Sequence, residues 1–403
     1  MAGNFEHHSQ KRSVKTSGCS TVPNKTASFK AMDFDVSPYL VLWELTRSCA
    51  LACRHCRAKA IRNRNPQELN ETQISAFLDE LEQFNSPLLV LTGGDPIQRP
   101  DLFEIIQETK RRGFRVAMTP SATPSISQRL VQKLKLSGVE RLAISLDGAN
   151  ELSHDYFRRV QGSFNWSMNI IDWANYYQLP LQINSTVCRN TIDSFDEMAE
   201  LVAKASAVLW SVFFLVPTGR ATQTMQIEPD EAETIMKKMA HLSMTSSFDV
   251  KATAGPHFRR VLIEHFSSSQ TPLTPESIDG VNKQLRLGAL RSYRSVNDGQ
   301  GLLFVSHTGE IYPSGFLPVC AGNVKTDSVV ATYQEHPLFK DLRNPSLLKG
   351  KCGRCHYRNT CGGSRARAYA LHGDYLAQDD LCAYDNRPQD GVTVYGNADG
   401  SPQ

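Results

Sequence analysis

The chain has 403 residues, 44 Lys and Arg against 41 Asp and Glu, and a net charge of +3, too small for the basic footprint of a nucleic-acid-binding protein. No apolar run approaches the ~20 residues that span a bilayer, and Met1 to Lys30 is polar and carries His7, His8, Lys11 and Arg12, so no secretory signal is expected there. A chain this long can bury a large core, in two domains by expectation, and ten cysteines without an export signal point to metal rather than disulfides, and to the cytoplasm.

In chain order, residues 1–36 are expected to be a disordered tail, with Cys19 an ordinary thiol inside it. The strand-like run Leu40 to Leu45 then leads into Cys49, Cys53 and Cys56, spaced C-x3-C-x2-C. Cysteine-ligated iron–sulfur sites normally supply four ligands. Three thiolates on one short loop can hold three irons of a four-iron cubane and leave the fourth open to a substrate or cofactor.

Beyond the loop the pattern alternates. A helix is expected from Thr72 to Phe84, with Ile74, Phe77, Leu78 and Leu81 on one face, then a buried strand Pro87 to Leu91 ending in Thr92-Gly93-Gly94-Asp95-Pro96. Further helices are expected over Asp101–Arg112, Ser125–Leu136, Phe164–Tyr177, Ser194–Lys204 and Asp230–His241. Strands are expected over Phe114–Met118, Arg141–Leu146, Pro180–Val187 and Trp210–Val216, with Cys188 a plain thiol at a strand end. Strands alternating with helices of this length imply right-handed crossovers and a parallel sheet. The fold class is therefore α/β, with six βα units against the eight of a closed TIM barrel; the family resemblance described below implies that they form a partial (β/α)6 barrel. The barrel is expected over residues 37–245 and a linking segment over 246–300.

Residues 301–390 form the expected second domain, a cysteine-rich β-hairpin and α unit, which the resemblance described below makes an iron–sulfur domain. Leu303 to Val305 and Glu310 to Tyr312 flank His307-Thr308-Gly309, a hairpin with its turn at Gly309. Cys352, Cys355 and Cys361 follow with C-x2-C-x5-C spacing, and Cys382 after twenty more residues. Four such thiolates would fully ligate one cluster or one zinc ion. Residues 391–403 are expected to be a second tail.

Together the Cys49–Cys56 motif, the Gly93-Gly94-Asp95-Pro96 element and the βα alternation resemble the radical S-adenosylmethionine (SAM) superfamily. The hairpin and its cysteine run resemble the SPASM or twitch extension. The resemblance implies that Cys49, Cys53 and Cys56 hold a 4Fe–4S cluster whose open iron chelates SAM. Gly93, Gly94 and Asp95 would meet the SAM amino group, Asp95 standing where the family usually has Glu. Ser145 and Arg158 would bind its carboxylate, Asn184 its ribose or adenine, and Leu215 or Val216 would pack on adenine. His55 stands where the family often places an aromatic ring, and its plain alternative is a solvent-facing imidazole. Cys352, Cys355, Cys361 and Cys382 would hold one auxiliary 4Fe–4S cluster. The other auxiliary site of a full SPASM domain is missing, because Ser314 and Arg365 occupy two of its cysteine positions and only Cys320 remains. The plain reading of Cys320 is a buried thiol.

By the same resemblance SAM yields a 5′-deoxyadenosyl radical that takes a hydrogen from the substrate. The auxiliary cluster would accept an electron or shape the pocket, and a ferredoxin- or flavodoxin-type donor would supply reducing electrons. Stretches such as Glu44 to Cys49, Trp210 to Pro217, Tyr312 to Pro318 and Cys361 to Ala368 are similar to the heme-biosynthesis branch, implying oxidation or decarboxylation of a tetrapyrrole. Radical modification of a ribosomally made peptide is the alternative, although peptide maturases often carry a recognition domain of ~80 residues and only about 36 polar residues precede the barrel here. His257, Arg259, Arg260, Arg286, Arg291 and Arg294 are candidate partners for propionates. A non-catalytic metal-binding scaffold, with zinc on the C-terminal cysteines, is a third reading.

Overall fold

The computed structural model describes residues 33–267 and 296–385. Strands β1 (Leu40–Thr46), β2 (Leu88–Gly93), β3 (Arg115–Met118), β4 (Arg141–Ser145), β5 (Leu181–Val187) and β6 (Leu209–Phe214) form a parallel sheet in sequence order. Helices α1 (Glu71–Leu81), α2 (Leu102–Arg111), α3 (Gln128–Leu136), α4 (Glu151–Arg158), α5 (Ser163–Tyr176), α6 (Phe195–Lys204) and α7 (Pro229–Thr245) connect and follow them. This is the expected α/β partial barrel.

Local sequence sets the elements. Asn70 accepts from the Gln73 N–H while Gln73 reaches back to the Asn70 N–H, a reciprocal cap that starts α1. The apolar face then buries Ile74, Phe77, Leu78 and Leu81 against the sheet. Helix α4 was not foreseen, because only His154 and Phe157 of its eight residues are buried, too few to show a period.

The sheet also extends past the expected barrel at both edges. β7 (Asp249–Thr253) pairs parallel with β6, and α8 (Phe258–Ser267) follows it, so residues assigned to a linking segment belong to the sheet and its helical layer. Only Val250 of β7 is buried, which hides the strand from a periodicity search. At the other edge β8 (Leu302–Val305) pairs parallel with β1, in register from Leu40↔Leu302 to Trp43↔Val305. β9 (Glu310–Tyr312) returns antiparallel to β8, and β10 (Gly322–Asn323) to β9. The hairpin is thus a continuation of the barrel sheet.

Residues 33–36, assigned to the tail by expectation, pack onto the fold. Phe34 is buried, its carbonyl accepts from the Tyr333 hydroxyl at 2.7 Å, and Asp35 pairs with Arg343 at 3.1 Å. The rest of that tail, Cys19, residues 391–403, Arg286, Arg291 and Arg294 lie outside the described residues.

Side chains alternate across each strand. Trp43, Leu91, Met118, Ile144, Ile183 and Val212 face the helices and fill one core. Their neighbours Glu44, Ser145, Asn184, Ser211 and Lys251 therefore face the concave side, where the site lies.

Candidate functional site

Strand β1 ends in the cysteine loop, and backbone bonds fix it. Cys49 N–H donates to Ile61 O at 2.8 Å, Ile61 N–H to Arg47 O at 3.0 Å, and Arg220 N–H to Cys56 O at 3.0 Å. Cys49 and Cys53 are buried and Cys56 half-buried, gathered in one patch with Leu51, Ala60 and Val160. Each sulfur already has a donor or hydroxyl beside it. Leu51 N–H approaches Cys49 Sγ at 3.3 Å, Ala60 N–H approaches Cys56 Sγ at 3.4 Å, and Arg158 Nη1 approaches Cys53 Sγ at 3.5 Å. Ser121 Oγ lies 3.2 Å from Cys49 Sγ.

Burial pushes the Cys49 thiol up to about 11 and raises that of Cys53. Ligation must therefore release their protons. Donors aimed at sulfur are what iron-bound thiolates need, and they tune a cluster's potential. Among the described residues no three His, Cys, Asp or Glu side chains are placed to grip one metal ion. A cubane makes no such demand, since each thiolate binds its own iron. The residues present fit a cluster.

The Gly93-Gly94-Asp95 element joins β2 to this loop. Gly94 N–H donates to Thr46 O and Asp95 N–H to Ser48 O, both at 2.7 Å. A Cβ on Gly93, which has φ +154°, would sit 2.3 Å from Thr46 O, and one on Gly94 2.5 Å from Ser48 O. The glycines are required by this backbone contact, whereas the sequence reading placed the close approach at SAM. Gly94→Ala is expected to cost about 1–3 kcal/mol, because the atoms its Cβ would meet, Ser48 O and Arg47 O, are both backbone. A lower melting temperature together with iron loss from the displaced loop would register it. Asp95 is wholly buried. Its Oδ1 accepts from Ile97 N–H at 3.3 Å and Ser121 N–H at 3.2 Å, and burial pushes its pKa up to about 6.

At the end of β4, Asp147 organises a second cluster that the sequence reading missed. Its Oδ1 accepts from Thr186 N–H at 2.7 Å, and its Oδ2 pairs with Arg158 Nη2 at 2.5 Å. His55 Nε2 lies 3.8 Å from the same carboxylate, and its ring stacks on Phe157 with centroids 4.5 Å apart. Burial pushes His55 down to about 4, so it is neutral at pH 7 and not the solvent-facing imidazole of the plain reading. Arg158 closes α4 and is held between Asp147 and Cys53, with its Nε buried and unpaired. The signal available in the sequence was the Asp147-Gly148 step at a strand end, where barrels place function.

Ser145 ends β4 in register with Asn184 on β5, whose Oδ1 accepts from Gln182 Nε2 at 2.7 Å. Leu215 packs with Phe157 and Cys188 beneath the Arg158 cluster. Val216 instead packs with Leu317, Leu338 and Ala366 of the C-terminal segment. A third group was also missed. Buried Glu44 pairs with Arg57 Nη1 at 3.1 Å and lies 2.9 Å from His307 Nδ1, tying the cysteine loop to the hairpin.

The four C-terminal cysteines line one cavity of about 80 Å³, with Lys351, Tyr357 and Tyr384 on its wall. Tyr357 N–H approaches Cys355 Sγ at 3.4 Å, Gly363 N–H approaches Cys361 Sγ at 3.4 Å, and Asp379 N–H approaches Cys352 Sγ at 3.3 Å. Burial pushes Cys361 well up and Cys382 to about 11. This donor set fits a fully ligated cluster.

The positions of the absent cysteines are filled otherwise. Buried Arg365 donates to the carbonyls of Gly363, Tyr375 and Ala377 at 3.2, 3.0 and 2.7 Å. Ser314 Oγ accepts from the N–H groups of Phe316 and Leu317, each at 3.2 Å. Cys320 is exposed, which corrects the reading of it as a buried thiol. Two candidate propionate partners are also corrected: Arg260 is buried and paired with Glu233 and Glu264, and His257 is buried 3.8 Å from Asp379 Oδ2.

Comparisons with known proteins agree with this geometry. The family model described as the radical SAM superfamily matches residues 43–202. An AdoMet-dependent heme synthase of Nitratidesulfovibrio vulgaris is 37% identical over 350 residues, covering 86% of this chain and 93% of that one. An AdoMet-dependent heme synthase of Methanosarcina barkeri is 35% identical, covering 86% and 97%. Among solved structures, Streptococcus suis SuiB bound to its precursor peptide SuiA has a TM-score of 0.66 at 14% identity, covering 87% of this chain and 76% of that one, a likeness of fold. Identity at this level across nearly the whole of both chains places the protein in the radical SAM superfamily, enzymes that bind a 4Fe–4S cluster and SAM.

Proposed function

We propose that this enzyme oxidatively decarboxylates propionate side chains of an iron-bound tetrapyrrole in heme formation. The observation that carries the reading is the convergence of the Cys49–Cys53–Cys56 patch, the Asp147–Arg158 pair and the polar concave face at the strand ends of one barrel. Similarity to AdoMet-dependent heme synthases supports the choice of substrate.

In this reading Cys49, Cys53 and Cys56 hold the cluster. When bound, the cluster and SAM would supply a 5′-deoxyadenosyl radical able to take one substrate hydrogen atom, and loss of carbon dioxide would hand the second electron to an acceptor such as the auxiliary cluster. Arg158 presents a guanidinium fixed by Asp147, suited to charge-assisted recognition of the SAM carboxylate. Ser145, two residues before Asp147, would supply a hydroxyl, and Asn184, its register partner on the next strand, an amide. Leu215 and Phe157 form the apolar floor that keeps water from this end. Cys352, Cys355, Cys361 and Cys382 would ligate a second 4Fe–4S cluster with no iron left for SAM. A ferredoxin- or flavodoxin-type donor would reduce the enzyme, in the cytoplasm; no helix of the described residues is long and apolar enough to cross a membrane. The barrel and the cysteine-rich segment that follows its edge hairpin would act as two functional regions.

Anaerobic reconstitution should give about eight irons per chain, two cubanes, without zinc. With SAM, dithionite and iron-coproporphyrin the enzyme should release carbon dioxide. Cleavage of SAM with the porphyrin left intact would refute the substrate, and a zinc-loaded chain without SAM cleavage would refute the enzyme.

A further inference from the structure

One register row crosses the concave face of the second half of the barrel. Ser145 on β4 stands opposite Asn184 on β5, Asn184 opposite Ser211 on β6, and Ser211 opposite Lys251 on β7. In a parallel sheet register partners point the same way. The alternate positions Ile144, Ile183, Val212 and Val250 all lie in the helix-side core. The four polar side chains therefore stand side by side in the barrel interior. Neighbouring strands are about 4.8 Å apart, so the row runs about 14 Å from Ser145 to Lys251.

The first three members are neutral, and two have partners in the fold. Asn184 accepts from Gln182, and Ser211 Oγ lies 2.9 Å from Thr253 Oγ1. Lys251 is different. It is half-buried, and among the described residues no carboxylate pairs with it. The charge that reaches it is that of another cation, Arg141. Burial first, and Arg141 second, lower its pKa to about 8, which leaves it mostly protonated at pH 7. An ammonium partly withdrawn from water is costly unless an anion joins it.

SAM does not supply that anion in the proposed arrangement, because Arg158 and Ser145 sit at the far end of the row. We propose that Lys251 is a positioning residue that anchors a carboxylate of the substrate inside the barrel. This rests on the reading of the concave face as the reaction chamber for a tetrapyrrole. Lys251 lies two residues before the end of β7, below the level of the cysteine loop. A carboxylate held there lets a large anionic substrate lie across the mouth with one acidic arm inserted and another portion presented to the SAM end.

The test compares wild type, Lys251→Met and Lys251→Arg, each reconstituted, with iron and sulfide content and SAM affinity measured first. Iron-coproporphyrin III is then titrated by absorbance, and its tetramethyl ester serves as the uncharged probe. K251M should weaken porphyrin binding about 10–100-fold, the effect of removing a hydrogen bond to a charged group, and raise KM more than it lowers kcat. K251R should recover most of the affinity. The ester should bind wild type and K251M with equal weakness. Wild-type affinity in K251M, wild-type preference for neither acid nor ester, or loss of iron or SAM binding in K251M would each overturn the proposal. If wild type binds no iron-coproporphyrin, the tetrapyrrole reading itself falls, and this inference with it.

Discussion

Cys53→Ala is expected to leave about four of about eight irons and no measurable SAM cleavage. Cys53 is the middle cysteine of the loop, a cluster ligand in the proposed reading, and the one whose sulfur meets the Arg158 guanidinium. Its removal takes one thiolate from a trio that has none to spare. It also strips Arg158 of the sulfur that, with Asp147, fixes its direction, so SAM affinity should fall along with iron content. The matched change at the other end, Cys355→Ala, should remove about four irons while SAM still binds. Iron analysis and SAM titration on the two variants check the division of labour. Equal loss of SAM affinity in both would mean that the two cysteine groups do not serve separate clusters.

Arg367→Met is expected to destabilise the chain by about 3–5 kcal/mol, the usual result of breaking one half of a buried ion pair. Arg367 has no exposed surface. Its Nη1 donates to both oxygens of Asp379 at 3.0 Å, and its Nη2 donates to Phe214 O at 3.2 Å and Ala254 O at 2.7 Å. One guanidinium thus ties the helix Arg365–His372 to the ends of β6 and β7 and to the loop before Cys382. Burial alone would raise the Asp379 pKa, but Arg367 and then His257 hold it down to about 2. Without Arg367 that buried carboxylate keeps only the Ser364 N–H at 2.8 Å, the Leu381 N–H at 3.2 Å and the more distant His257, and the Phe214 and Ala254 carbonyls lose its guanidinium. Since the Asp379 N–H approaches Cys352 Sγ, the auxiliary irons should be released before the Cys49–Cys56 cluster as the temperature rises. Melting curves followed by absorbance of the clusters would show two steps in the variant.

The parts of the fold legible in the sequence were those with a strong period. Helix α1 and strands β1 to β6 were readable because their apolar positions recur at 3.6 or 2 residues and their caps are local. β7 and α4 were not, since each buries only one or two side chains and owes its place to pairing or packing with distant neighbours. The hairpin was readable as a hairpin. Its addition to the β1 edge was not, because that register joins residues about 260 positions apart.

The site divides in the same way. Cysteine spacing by itself marked a three-thiolate loop suited to an open cluster and a four-thiolate set suited to a cluster or a zinc ion, since ligand number and short-range reach are properties of local sequence. The partners of Arg158, the role of Gly93 and Gly94 in joining β2 to the cysteine loop, and the Glu44–Arg57–His307 bridge are long-range contacts, which no local pattern encodes. The same holds for Lys251. In the sequence it is one lysine in a short polar strand, and only strand register aligns it with Ser145, Asn184 and Ser211. Local motifs determined which family the chain resembles and which cysteines are candidate ligands; the pairing of strands far apart in sequence decided which side chains share the chamber, because a side chain's neighbours across a sheet are set by register.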